Sequence, residues 1–427
     1  MKRVTAVLIC VLIIIGFASC GGNDNDNKQT TSQKAYNTVF KQNTSVVPNT
    51  TTAAESETST TVGEDVSGET EVVETTVART GKRKFYKQTS AMRNITSAEL
   101  LQEINAGIVL GDSFSVSGVG KDKSVEDYET AMENPVVAEG LIDAYKSAGF
   151  KAVKVPVSWT EHIDENGVIN EKWLNRIDEV INMIVSKNMY CIINSQNDTS
   201  WLTTATTDFN NTKQKFSSMW KAIAEKFKNY NDRLLFESAG EILKAENDKS
   251  APSSSDIANN NTLNKIFVST VRKTGGNNKK RHLVISSYGS FIDSASLNGF
   301  KVPSDTVKNK LIAKVNMYIP ASFCFDESKA NAWGKQSDKD YINSCFAEVN
   351  RRFSALNIPV MVGEFGAIDK GNESARASYA GYFVSTAYNY YIPCFWFDDG
   401  KDFRLVDRST FEVSYKKVLS GIIKNAK

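Results

Sequence analysis

Ile358-Pro359-Val360-Met361-Val362-Gly363-Glu364-Phe365-Gly366 is an apolar run interrupted by one carboxylate. A strand with one wet face would alternate polar and apolar residues. A strand covered on both faces reads as a continuous apolar run, the condition of a parallel sheet flanked by helices. The run therefore predicts a buried strand over Val360–Gly363 that delivers Glu364 at its C-terminal end.

Seven similar runs lie on either side of it or upstream: Gly107–Gly111, Ala152–Val157, Tyr190–Asn194, Leu234–Ser238, His282–Ser286, Ala313–Met317 and Cys394–Phe397. Amphipathic stretches separate them. Ala138–Ala148 carries Leu141, Ile142 and Tyr145 on one face, and Trp173–Val185 carries Leu174, Ile177, Ile181 and Ile184. Phe216–Phe227, Asn261–Thr274 and Ala375–Tyr388 follow the same period, so these stripes face a core. Trp173 and Trp220 sit on such stripes and are expected inside. Strands alternating with helices predict a parallel sheet, and eight such units within roughly 340 residues fit a single (β/α)₈ TIM barrel over 83–427.

A barrel of this kind carries its chemistry at the C-terminal strand ends. Two carboxylates stand there, Glu241 after the fourth strand and Glu364 after the seventh. A pair of carboxylates is what retaining glycoside hydrolysis requires: one attacks the anomeric carbon, and the other protonates the leaving oxygen and then activates water. Flat rings nearby suit the C–H face of a pyranose, and Trp159, Trp201, Trp333, Trp396 and Tyr318 are candidates. Asp198 and Asp398 contact sugar hydroxyls or cap loops, and His162 lines the cleft or sits in structure.

Beside this reading stands a resemblance. Val153-Lys154-Val155-Pro156-Val157-Ser158-Trp159, Asp164–Trp173 with Ile177-Asp178-Glu179-Val180-Ile181, the Ile358–Gly366 run, Asn372-Glu373-Ser374-Ala375-Arg376 and Ile392-Pro393-Cys394-Phe395-Trp396 resemble glycoside hydrolase family 5, the cellulases, across roughly Ile104 to Phe411. The resemblance implies that Glu364 is the nucleophile and Glu241 the acid/base, with Tyr318 the site tyrosine and Trp396 a sugar platform. It implies an endo-β-1,4-glucanase acting on glucan-type backbones. It also marks departures. The family usually has Arg at Lys154, histidines at Gln196, Asn197 and Asn316, and Asn at Gly240. Arg is a fixed fork of donors, whereas Lys is a mobile point charge. The missing Asn would bond the sugar's 2-hydroxyl, and the missing imidazoles would titrate where amides cannot. Gln196, Asn197 and Asn316 can still donate hydrogen bonds but cannot titrate, and with Lys154 they are expected to line the substrate site.

The N-terminus reads separately. Lys2 and Arg3 precede an apolar stretch from Ala6 to Ala18, too short to span a bilayer comfortably and suited to a signal peptide over 1–19. Phe17-Ala18-Ser19-Cys20-Gly21-Gly22 resembles a bacterial lipoprotein cleavage site, which implies lipid attachment at Cys20 and a membrane-anchored protein at the cell surface. Ordinary cleavage and secretion is the alternative. Residues 20–82 are rich in Thr, Ser, Asn and Glu, too poor in apolar groups to offset their ordering entropy, and are expected to form a disordered linker.

Composition narrows the classes further. A net charge of +2 with dispersed basic residues offers no nucleic-acid footprint. Two histidines far apart and six cysteines without CxxC spacing imply no metal centre and no cofactor. Cys191 and Cys394 read as small buried hydrophobes, and the spacing leaves open whether Cys324 and Cys345 pair. The expected partners are a β-glucan or related plant-type polysaccharide and, through the lipid, a membrane, with the chain acting as a monomer. Three readings compete: an active glycanase, a degenerate relative that binds glycan without cleaving it, and a scaffold with no sugar role.

Overall fold

The computed structural model describes residues 91–427 apart from 166, 206, 249 and 330–332. The signal peptide, Cys20 and the linker lie outside the described residues.

Eight strands close a parallel barrel in chain order: β1 (Ala106–Leu110), β2 (Ala152–Val155), β3 (Tyr190–Ile193), β4 (Leu234–Glu237), β5 (Leu283–Ser286), β6 (Leu311–Asn316), β7 (Val360–Phe365) and β8 (Cys394–Asp398). β1 pairs with β8 as well as β2, so no edge remains. Each matches one of the apolar runs, shifted by a residue or two at its ends.

The principal helices are α1 (Ser97–Ile104), α2 (Glu139–Ser147), α3 (Glu171–Ser186), α4 (Phe209–Phe227), α5 (Ser254–Lys273), α6 (Gln336–Ala355), α7 (Glu373–Asn389) and α8 (Lys416–Asn425). Their starts are written in capping residues. Thr96 and Ser253 each accept from the N3 backbone while Glu99 and Asp256 reach back, satisfying first-turn donors that would otherwise be orphaned. Two helices begin a full two turns before their apolar stripes. In α5 the early inward positions are Asp256, Asn260 and Asn264, spaced by four and buried. Asn260 and Asn264 both donate to the carbonyl of Ser286, at 3.0 and 2.9 Å, so hydrogen bonds to β5 stand where apolar contacts were expected.

Side-chain parity inside the barrel follows from register. Lys154 of β2 reaches Glu237 of β4 and Glu364 of β7, so it points to the interior. It pairs with Val109 and Ile192, which puts Gly107, Val109 and Gly111 on the same inner face. Phe395 pairs with Gly107 and Phe397 with Val109, so both phenylalanines also enter the barrel and Trp396 between them faces the helices. Gly107 is small for a reason: a Cβ there would lie 2.2 Å from Cε1 of Phe395.

All four cysteines among the described residues are free and buried. Cys324 donates to the Tyr379 hydroxyl at 3.3 Å rather than pairing with Cys345. His162 lies stacked on Trp173 at 3.8 Å between centroids, beside Tyr128, and is a core residue. Trp220 is buried as expected, its indole N–H bonded to the Ser238 carbonyl.

Candidate active site

The floor of the barrel mouth is a buried ionic cluster. Lys154 Nζ lies 3.1 Å from Glu237 Oε1 and 3.0 Å from Glu364 Oε1. Lys314 Nζ lies 3.2 Å from the same Glu237 oxygen and also donates to the Gly240 carbonyl. Two ammoniums thus face two carboxylates, the balance without which a buried charge is prohibitive. Burial works against the charge on Lys154, but Glu237 and Glu364 outweigh it and raise its pKa. Burial dominates at Lys314, helped by the neighbouring ammonium of Lys154, and lowers its pKa. Glu237 is held below the usual carboxylate range: burial opposes this, and the two lysines with Asn194 overcome it.

Above this floor stand the two predicted carboxylates. β6 and β7 lose register between Val315 and Asn316, β7 and β8 lose it between Val362 and Phe365, and Asn316 comes opposite Glu364. Gly363 makes room for the Lys314 stem, since a Cβ there would lie 2.3 Å from Cδ of Lys314. Glu364 accepts from Lys154 on one oxygen; the other faces the Tyr318 hydroxyl at 3.3 Å and Asn316 Nδ2 at 3.4 Å. Asn316 Nδ2 also reaches Glu241 Oε1 at 3.3 Å. One amide therefore touches both carboxylates. Glu364 is 5% exposed, whereas Glu241 is half-buried at the mouth.

The remaining predicted residues divide. Gln196 accepts from Asn194 Nδ2 at 3.2 Å, and that same nitrogen donates to Glu237 at 3.0 Å, which ties Gln196 to the cluster. Asn197 turns away, donating to the Ser115 carbonyl at 2.8 Å. Trp201 is half-buried on the loop after β3, with its indole N–H on Thr160 Oγ1 and the Lys215 ammonium 4.6 Å from its ring.

Trp396 corrects the expectation of a sugar platform. Its ring is fully buried behind the barrel wall, edge-on to Phe365 at 5.4 Å, with its N–H bonded to the Phe403 carbonyl. No face is left for a ligand. The inward ring on that strand is Phe397, packed near Tyr318 and Phe403. Trp159 is likewise buried, and Trp333 packs against Tyr379 and Tyr382 of α7. Asp198 and Asp398 are loop caps. Asp198 accepts from Trp159 N, Thr160 N and Ser195 Oγ, and Asp398 accepts from the backbone of Gly400, Leu405 and Val406.

Glu237, Asn194 and Lys314 were not singled out from the sequence. A signal existed, because a charged residue inside an otherwise apolar barrel strand has only the interior to face when its parity is inward. Among the described residues, no group of His, Cys, Asp and Glu could hold a metal ion.

Residues 116–402 match the model of the cellulase family, glycosyl hydrolase family 5. Endoglucanase A of Clostridium longisporum is 33% identical over 355 residues, covering 80% of this chain and 67% of that protein. A broad-specificity endoglucanase from Ruminococcus champanellensis, solved with bound cellotriose, superposes with a TM-score of 0.74 at 31% identity, over 78% of this chain and all of that one. A family 5 enzyme from Prevotella bryantii, a mutant in complex with a xyloglucan tetradecasaccharide, gives 0.73 at 26% identity, over 79% of this chain and all of that one.

Proposed function

We propose that this chain, which belongs to the cellulase family, glycosyl hydrolase family 5, hydrolyses β-1,4-linked glucan-type polysaccharide with retention of anomeric configuration. The observation that carries the reading is the single amide of Asn316 within 3.3 Å of Glu241 and 3.4 Å of Glu364. Two oxygens sharing one nitrogen at those distances can be no farther apart than about the short end of the roughly 6.5–9.5 Å that an inverting pair keeps for its water, which favours the closer spacing of a retaining pair.

Glu364 is the nucleophile. Lys154 holds one of its oxygens from below, and Tyr318 and Asn316 aim the other into the mouth. Its carboxylate attacks the anomeric carbon while Glu241, at the more open position, gives its proton to the leaving oxygen. Glu241 then takes a proton from the water that displaces Glu364, and both carboxyls return to their starting states. Relatives solved with cellotriose and with a xyloglucan fragment support a glucan backbone, branched or plain, as the substrate class.

The chain acts at the bacterial cell surface, carried by lipid on the Cys20 sulfur and spaced from the membrane by residues 20–82. All groups of the site come from one barrel, so a monomer suffices. Replacing Cys20 by Ser should release the protein from the membrane fraction; retention there would count against the anchor.

The experiment is reducing-end release by the full chain and by Glu364→Gln from cellulose oligomers, mixed-linkage glucan and xyloglucan, with the first product anomer read by NMR. Release lost in the variant and a β anomer formed first are expected. An α anomer first would overturn retention. No release by the wild type would overturn hydrolysis and leave glycan binding without cleavage.

A further inference from the structure

Gly240 immediately precedes Glu241, and its missing side chain is not replaced by empty space. An ideal Cβ at this position would lie 1.5 Å from Oε1, 2.4 Å from Cδ and 2.9 Å from Nε2 of Gln196. The amide of Gln196 therefore occupies the volume into which a side chain at 240 would grow. The backbone cannot drift to relieve such a clash. Gly240 N donates to the Ser195 carbonyl at 2.8 Å, and its own carbonyl accepts from Lys314 and from Ser290 Oγ.

The amide is also oriented. Val157 N donates to Asn194 Oδ1 at 3.2 Å, which fixes the Asn194 side chain with its Nδ2 outward. That nitrogen donates to Glu237 Oε1 and to Gln196 Oε1, so the oxygen of Gln196 is committed to the floor of the site. Nε2 is left as a donor with no protein acceptor among the described residues, on a half-buried side chain beside the acid/base position.

We propose that Gln196 Nε2 is the donor to the hydroxyl on the carbon next to the reacting carbon of the sugar, and that Gly240 is small because Gln196 needs its room. The inference rests on the hydrolytic reading above and adds to it a specific contact and a coupled pair of positions. A donor to that hydroxyl matters because the bond strengthens as charge develops in the oxocarbenium-like transition state. Positions 240 and 196 are then coupled: a side chain at 240 and the amide of Gln196 exclude one another.

The test uses two aryl β-cellobiosides, one bearing the 2-hydroxyl on the reacting ring and one 2-deoxy there. The kcat/KM of the full chain is compared with that of Gln196→Ala, Gly240→Asn and the double variant, each checked for a native thermal melt. Gln196→Ala should lose about 10–100-fold on the hydroxylated glycoside and under about 2-fold on the deoxy one. Gly240→Asn alone should lose on both, because its side chain meets Gln196. The double variant should recover most of the loss on the hydroxylated substrate. Equal losses of Gln196→Ala on the two glycosides, or no loss on the hydroxylated one, would overturn the assignment. A wild-type chain inert on both overturns the hydrolytic reading and this inference with it, and is told apart because no variant is needed to see it.

Discussion

Lys154 Nζ stands 3.0 Å from Glu364 Oε1, with the lysine side chain wholly buried. An ammonium has no fork, so Lys154 divides itself between Glu364 and Glu237, and Lys314 supplies the second positive charge. The two lysines together do what one guanidinium would do with its paired donors. Lys154→Met should leave two buried carboxylates facing Lys314 alone, at a cost of about 3–5 kcal/mol in stability. Lys154→Arg should also lose stability and activity while Lys314 fills the adjacent space, and Lys154→Arg/Lys314→Ala should regain part of both. Thermal melts and kcat on one soluble glucan check the order; a single Lys154→Arg variant better than the double would refute the shared role.

Both histidines are held neutral by the fold. Burial pushes His162 down to about 4, and burial with the adjacent Lys310 pushes His282 down to about 3. Free imidazole titrates near 6.5, so the unfolded chain takes up these protons first as pH falls. The stability they contribute is full above about pH 6.5 and is lost toward pH 4, with a slope of roughly 1.4 kcal/mol per pH unit for each histidine. His162→Phe keeps the stack on Trp173 and should remove about half of the histidine part of that slope. Urea melts at pH 7, 6 and 5 measure it, and an unchanged slope would mean that His162 protonates within the fold.

Gly107 is an inner position of β1 that Phe395 has filled. Gly107→Ala should force the ring off its rotamer and cost about 1–3 kcal/mol. Adding Phe395→Leu should return part of the loss. The readout is the thermal midpoint, and an unaltered midpoint in Gly107→Ala would show that the barrel yields at this point.

Trp201 and Trp396 should respond in opposite ways. Trp201→Ala, at the half-buried rim, should weaken cello-oligosaccharide binding about 10-fold in a Glu364→Gln background with little change in melting. Trp396→Ala removes a fully buried ring and should cost about 3–5 kcal/mol of stability. Calorimetric titration beside thermal melts separates them; weaker binding by a stable Trp396 variant would restore that residue to the cleft.

The eight strands were legible because strands covered on both faces leave an unbroken apolar signature. The two carboxylates were legible because they follow such runs directly. What alternation normally encodes was lost for the same reason. Cys394-Phe395-Trp396-Phe397 is apolar throughout, so nothing in it says which rings face in, and only the pairing with β1 puts Phe397 in the barrel and Trp396 behind it. Glu237 and Lys314 are visible as charges in apolar strands, yet their meeting depends on β4 and β6 flanking β5 with both side chains turned inward, a relation that spacing along the chain does not carry. The early turns of α5 escaped because asparagines bonded to Ser286 do the work of leucines. Gln196 and Gly240 lie 44 positions apart, and their shared volume is purely three-dimensional.

The seam between β1 and β8 joins Ala106 to Cys394. A chain emerging from the ribosome holds its first barrel strand long before its last exists, so until then β1 and β7 are bare edges open to any passing strand. Closure thus waits on the eighth strand, and a chain truncated before β8 would keep two bare edges, the condition for edge-to-edge aggregation.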